Sequence, residues 1–110
     1  MRAVVQELIT LGPLPSEDDA TEEEVLSFER LISKLTYPAR DDEACALVQS
    51  FPQGSDSCFG LAWTLLHFIE SAPHWPLAGC LQDRNWWENR LQQRIANAQM
   101  HRSQDSDHNV

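Results

Sequence analysis

The spacing of apolar residues near the start of the chain predicts a first amphipathic helix. It covers about residues 2–11, and one face carries Val4, Val5, Leu8 and Ile9. Gly12 followed by Pro13 is a stop signal, since glycine adopts the left-handed cap conformation readily and proline cannot continue a helix. A polar loop follows over residues 13–20.

A second helix is predicted over about 22–35. Thr21 and Glu24 form a capping-box pattern at its start, and Tyr37-Pro38 ends it. The apolar face recurs at spacings of three and four, with Val25, Phe28, Leu31, Ile32 and Leu35. A third helix is predicted over about 42–50, with Asp41 as its N-cap.

The most apolar stretch of the chain, residues 58–69, predicts a buried central helix. A strand is the alternative, but the spacing of Phe59, Trp63, Leu66 and Ile69 favours the helix. Asp56 or Ser57 would cap it, and a close contact between helices would explain Gly60 within it.

The last predicted helix covers about 86–99 and is preceded by an extended connection that begins at residues 73–76. Asn85 and Glu88 supply a capping pattern, and residues 77–81 are compatible with a single helical turn. The inward face of the helix is formed by Trp87, Leu91, Ile95 and Ala98. Residues 101–110 are polar and predict a flexible tail.

These elements predict an all-α fold in one domain, residues 1–100, followed by the tail. Short loops between helices indicate antiparallel neighbours, as in a compact bundle of about five helices. A short α-solenoid fragment of the HEAT type has the same elements, and the sequence contains no internal repeat that decides between the two.

Charge narrows the classes of partner. The 110 residues include 17 acidic and 8 basic side chains, for a net charge of −9. A nonspecific nucleic-acid binder or a protein that binds anionic membrane surfaces would need a basic footprint. The sequence has no apolar run of membrane-spanning length, and its start lacks the apolar core of a signal peptide. We therefore expect a soluble cytoplasmic protein.

The cysteines support the same expectation. Cys45, Cys58 and Cys80 are an odd number at spacings of 13 and 22, which matches neither a disulfide framework nor a zinc site. Each lies among apolar residues. We expect three buried free thiols in a reducing compartment.

Two acidic clusters are the candidate partner-binding residues. The first comprises Glu17, Asp18, Asp19, Glu22, Glu23 and Glu24, and the second Asp41, Asp42 and Glu43. Such clusters steer a basic partner towards the protein, although a solvated loop and a helix start have the same composition. Whether the two lie side by side is left open. The first cluster lacks the glycine of a calcium loop, and we expect neither a metal nor a cofactor.

Few residues fit a catalytic role. His67 and Glu70 share a helical face as an acid/base pair would, but a core histidine satisfied by a carboxylate has the same spacing. Cys58 with His67 or His74 would be a nucleophile and its base, and no spacing supports that pairing. The sequence has neither a phosphate-binding glycine loop nor a nucleophile elbow. We expect a protein that is not an enzyme.

Tryptophans cluster near the last helix. Adjacent Trp86 and Trp87 point about 100° apart on a helix, so both cannot face one core. We expect one of them, taken as Trp86, to lie at a groove or surface, where tryptophan often anchors an interface. The alternative is that Trp86 covers the 73–76 segment as the outer part of the core.

The stretch from Phe59 to Pro76, followed by Asn85-Trp86-Trp87 and Leu91, resembles small helical immunity-type proteins of bacterial polymorphic-toxin systems. The resemblance covers about half the chain, residues 41–96. It implies a noncatalytic role in which the protein binds and neutralises a toxin. The leading hypothesis is thus an acidic inhibitor that occludes a basic partner. The alternative is a structural or adaptor subunit that homodimerises, or joins a larger assembly, through an apolar helical face.

Overall fold

A computed structural model describes residues 1–77, 79–82 and 85–108, with side chains up to residue 98. The described chain is all-helical, as predicted, and contains no strand. Its helices are α1 (Ala3–Leu11), α2 (Glu22–Ser33), α3 (Asp41–Leu47), α4 (Leu61–Glu70) and α5 (Trp86–His108), and a short 3₁₀ helix, Val48–Ser50, extends α3. Among the described residues, every helix is too short or too polar to cross a lipid bilayer.

The first two helices form as the pattern predicts. Gly12 follows α1 with a φ of +88°, a left-handed value that glycine adopts without a steric penalty. At the start of α2, the Thr21 hydroxyl accepts the Glu24 N–H at 3.2 Å, and the Glu24 carboxylate accepts the Thr21 N–H at 3.2 Å. This reciprocal pair is the predicted capping box.

The helices pack as a bundle rather than as a solenoid. Arg2 binds Glu43 at one end, and the Leu14 N–H donates to the Ser50 carbonyl at 2.9 Å at the other, so α1 and α3 run in the same direction. Helices α2 and α4 run the opposite way, and each contacts a helix of the first pair. A single core lies between the four helices and the first turns of α5.

The bundle therefore has two distinct ends. The first, here called the acidic end, is formed by the loops of residues 12–21 and 51–60. The opposite end is formed by residues 34–40 and 71–76, where the Ala39 N–H donates to the Ser71 hydroxyl at 2.8 Å.

Helix α3 begins one residue earlier than predicted. Asp41 is its first helical residue and Arg40 is the N-cap, so the assignment of Asp41 as N-cap is wrong. The Glu43 carboxylate accepts the Arg40 N–H at 2.9 Å. A glutamate at the third helical position thus satisfies the amide that precedes the helix, as in a capping box.

Helix α4 begins at Leu61, after a left-handed turn that the apolar pattern concealed. Cys58, Phe59 and Gly60 have φ values of +47°, +56° and +87°. A Cβ added at Gly60 would meet no atom within 4 Å, so the predicted close helix contact is wrong and the positive φ explains the glycine. Thr64 and His67 are exposed, so the helix is not buried on every side.

Helix α5 begins as predicted, with the Asn85 side chain accepting the Glu88 N–H at 3.0 Å. Trp87 and Leu91 are buried in the core, but Ile95 is half-buried and Ala98 is exposed, so the predicted inward face ends early. The helix continues to His108, beyond its predicted end. The flexibility of 101–110 stays a prediction, and its last two residues lie outside the described chain. So does Ala78, within the turn predicted over 77–81.

The prediction of three free thiols is wrong, because Cys45 and Cys80 form a disulfide with an S–S distance of 2.07 Å. Cys58 is the free, buried thiol that was expected. The disulfide lies one helical turn from Asp41, whose carboxylate contacts His74 at 2.6 Å. Two contacts on one face of α3 therefore hold the segment that leads to α5.

Candidate functional site

The acidic end is held together by hydrogen bonds between its two loops. The Asp56 carboxylate accepts the Cys58 N–H at 3.1 Å and the Glu17 N–H at 3.3 Å. In return, the Glu17 carboxylate accepts the Phe59 N–H at 2.9 Å. The predicted acidic loop is thus fixed to the left-handed turn that precedes α4.

Phe59 projects from this turn into solvent and is 63% exposed. The turn is supported from within, since the Ser57 hydroxyl accepts the Gly60 N–H at 3.0 Å. Sequence reasoning placed Phe59 on the apolar face of a helix and missed it as a surface residue. The sequence signal for this exposed turn is the polar run at 55–57 together with Gly60, since these residue types favour turns.

Members of the first acidic cluster fall into two groups. Glu17 and Glu24 bind backbone N–H groups, and Asp19 accepts the Ser16 hydroxyl at 3.0 Å. The side chains of the other three are exposed and have no hydrogen bond or ion pair within the described chain: Asp18, Glu22 and Glu23. The first group gives the loop its shape, and the second presents negative charge to solvent.

The prediction of Glu43 as a partner-binding residue is wrong, because this member of the second acidic cluster is fully buried. Its carboxylate accepts the Arg2 guanidinium at 2.6 and 3.0 Å and the Arg2 N–H at 2.9 Å. The hydrogen bonds from Arg2 outweigh the desolvation of Glu43 and lower its pKa to about 2. A partner cannot reach this residue, because its charge is buried and paired with Arg2.

The other two members of the second cluster also have contacts within the protein. The Asp41 carboxylate lies 2.6 Å from His74 Nδ1, and Asp42 lies 3.7 Å from the amino group of Met1. All three belong to the end of the bundle where α1 and α3 begin, whereas the first cluster lies where α1 ends. The two acidic clusters therefore do not lie side by side but occupy opposite ends of the bundle.

Trp86 and Trp87 take the two environments that their spacing predicts. Trp87 is fully buried, stacks on Phe51 at 5.5 Å and donates its indole N–H to the Asp56 carbonyl at 3.2 Å. Trp86 is 41% exposed and packs edge-to-face against Trp63, with ring centroids 6.5 Å apart. Because Asp56 also binds the acidic loop, α5 begins at the acidic end.

The catalytic candidates differ in their exposure and in their contacts. His67 is exposed rather than a core histidine, so that interpretation is wrong, and its Nδ1 lies 3.8 Å from Glu70. The Glu70 carboxylate instead accepts hydrogen bonds from Arg94 Nε at 2.6 Å and Arg94 Nη2 at 2.9 Å. Burial raises the pKa of the Cys58 thiol, with a further contribution from Asp56, which favours its protonated and unreactive form.

The described residues contain no group of three or more histidine, cysteine or acidic side chains placed to hold a metal ion. Comparisons with protein-family models, curated proteins and solved structures found no match. The acidic end, with its exposed Phe59 and unpaired carboxylates, is the candidate functional site of the described chain.

Proposed function

We propose that the protein is a noncatalytic binding module that inhibits a basic protein partner by covering it with the acidic end. The observation that carries this proposal is the exposure of Phe59, whose N–H is bound by Glu17, at the end of the bundle that also carries the exposed acids Asp18, Glu22 and Glu23. Trp86, at the start of α5, is a further exposed aromatic residue of the predicted binding set.

The arrangement suits recognition of a basic surface for two physical reasons. Unpaired carboxylates raise the rate at which a cationic partner arrives, while an aromatic side chain buried on contact supplies affinity. Hydrogen bonds that fix the surface before binding reduce the entropy lost on association. The partner would have lysine or arginine side chains around an apolar recess that accepts Phe59.

An immunity-type role, with a bacterial toxin as partner, is the specific form of this proposal. It comes from the sequence resemblance, and a basic toxin matches the charge of the acidic end. Steric and electrostatic occlusion requires no catalytic group. Lack of catalysis is supported by the burial of Cys58 and by the engagement of Glu70 with Arg94.

The cellular location is also open to a direct test. The cytoplasmic location was predicted from the lack of an apolar segment, with free thiols as further support, whereas a Cys45–Cys80 disulfide favours an oxidising compartment. Trapping thiols with an alkylating reagent at the moment of cell lysis, followed by mass spectrometry, distinguishes the two. Alkylated Cys45 would support the cytoplasm, and an intact disulfide would favour an oxidising compartment.

The experiment that tests the function is capture of partners from a lysate of the source cells on immobilised protein, with washes at low and high salt. We expect one basic protein that high salt releases. A variant with Glu22→Lys and Glu23→Lys should lose it, and so should Phe59→Ala. Glu29→Lys, with the same type of charge change at an exposed position further along α2, should retain it.

Two other outcomes of this experiment would contradict the proposal. Retention of the same partner by the Glu22→Lys, Glu23→Lys variant would refute a role for the acidic end. Salt-resistant self-association, with a melting temperature that rises with protein concentration, would support the structural or adaptor alternative.

A further inference from the structure

Three arginines among the described side chains are partly buried, and one of them lacks a carboxylate. Arg2 binds Glu43 and Arg94 binds Glu70, each through two guanidinium nitrogens. Arg90 has no ion pair within the described chain. Its Nη1 donates to the Gln93 side chain at 3.5 Å, and its Nε is inaccessible to solvent without a hydrogen-bond partner.

The position of Arg90 is fixed by an aromatic ring rather than by a counter-ion. Its guanidinium carbon lies 5.9 Å from the centroid of the Trp63 ring, within the range of a cation–π interaction. This contact holds the guanidinium but supplies no counter-ion. Carboxylates are abundant in a chain of net charge −9, yet none of those with described side chains pairs with Arg90.

Arg90 lies in an open groove of about 560 Å³ along the outer face of α5. We call it the Arg90 groove. In the described chain it is lined by Trp86, Asn89, Arg90, Gln92, Gln93 and Ala96, none of which is acidic. The lining thus combines one cation, three amide side chains and the exposed edge of Trp86.

We infer that the Arg90 groove binds an acidic segment of a partner protein, with a carboxylate on the Arg90 guanidinium and an apolar side chain against Trp86. A guanidinium binds a carboxylate through two parallel hydrogen bonds, and tryptophan and arginine dominate the energetics of interfaces. The amides of Asn89 and Gln93 can pair with the backbone of the segment. The opposite charge of the ligand distinguishes this site from the acidic end, which an acidic segment would avoid.

The length of the groove limits the size of the ligand. From residue 86 to residue 96 an α-helix advances about 15 Å. An extended chain covers that distance with about four or five residues. A pentapeptide with acidic residues between two apolar ends is therefore a suitable probe.

The test is a titration of the ¹⁵N-labelled protein with an acetylated and amidated pentapeptide of three glutamates between two leucines. We expect the Trp86 indole signal, assigned with Trp86→Phe, to shift as the peptide binds. Affinity should fall more than about tenfold for Arg90→Gln, and equally for a peptide with glutamines in place of glutamates. Arg90→Lys should give an intermediate affinity, because it keeps the charge but loses the paired hydrogen bonds.

Arg30→Gln is the matched control, since it removes the same charge from an exposed position on α2 and should leave the affinity unchanged. Absence of any shift at about 1 mM peptide would overturn the proposal. Undiminished binding by a folded Arg90→Gln variant would overturn it too. If the protein alone forms a dimer and Arg90→Gln abolishes that dimer, the groove binds a second copy of this chain rather than a separate partner.

Discussion

Glu17 and Phe59 are 42 positions apart in the sequence, yet the Glu17 carboxylate accepts the Phe59 N–H at 2.9 Å. This bond joins the acidic loop to the turn that exposes Phe59. One glutamate of the cluster therefore positions the exposed aromatic residue of the acidic end.

We predict that Glu17→Ala loosens the acidic end and leaves the core intact. One hydrogen bond to a carboxylate is lost at an exposed site, so the free energy of unfolding should fall by about 1 kcal/mol or less. Hydrogen exchange at the Phe59 amide should accelerate, because the donor loses its acceptor. Asp18→Ala removes a neighbouring carboxylate that holds no backbone group, and exchange at Phe59 should then be unchanged. Equal protection in both variants would contradict the role given to Glu17.

We predict that Gly60→Ala destabilises the protein through backbone conformation alone. The added Cβ would meet no atom within 4 Å, but the φ of +87° is unfavourable for alanine. The free energy of unfolding should fall by about 1–2 kcal/mol in denaturant titrations. Gly54→Ala is the matched control, since its φ is not in this region and its Cβ would lie 3.9 Å from the Asp56 carboxylate. A loss at Gly54 equal to that at Gly60 would refute the explanation.

The helices could be predicted from the sequence because their signals are local. The capping box at Thr21 and the apolar spacing of α2 depend on residues three and four apart. The predicted start of α4 is wrong because the local signal at that position is ambiguous. Cys58 and Phe59 continue an apolar run, and an apolar run does not distinguish a helix from a left-handed turn that happens to carry apolar side chains.

The parts that could not be predicted depend on residues far apart in the chain. Glu43 has the appearance of a surface acid at a helix start, and its charge is compensated chiefly by Arg2, 41 positions away. The pairing of Cys45 with Cys80 is equally nonlocal. Charge alone identified the acidic loop as a candidate surface, but the exposure of Phe59 beside it required the fold.

We predict that the Arg2–Glu43 pair makes the stability of the protein fall as the pH is lowered through the acid range. The pKa of Glu43 is lowered from 4.5 to about 2, chiefly by hydrogen bonds from Arg2. A carboxyl group whose pKa is lower in the folded state contributes stability above its unfolded pKa and loses it as the pH falls through the folded value. The contribution of Glu43 should therefore be complete above about pH 5 and decline towards pH 2.

The measurement is the melting temperature between pH 2 and pH 7 for the native chain and Glu43→Gln. The difference between the two should be largest near neutral pH and shrink over the acid range. Glu23→Gln changes an exposed carboxyl group without a partner in the described chain, and its profile should parallel that of the native protein. A constant difference between Glu43→Gln and the native chain at every pH would contradict the ionised state of Glu43.

We predict that reduction of the disulfide destabilises the protein and frees the segment that leads to α5. Cys45 and Cys80 are 35 positions apart, and closing a loop of this size in the unfolded chain stabilises the native state by about 3–4 kcal/mol. Unfolding in denaturant with and without a dithiol reductant measures the loss. The double variant Cys45→Ser, Cys80→Ser should be as unstable as the reduced native chain and insensitive to the reductant. Thiol titration in denaturant should find only Cys58 before reduction; three reactive thiols in the unreduced protein would contradict the pairing.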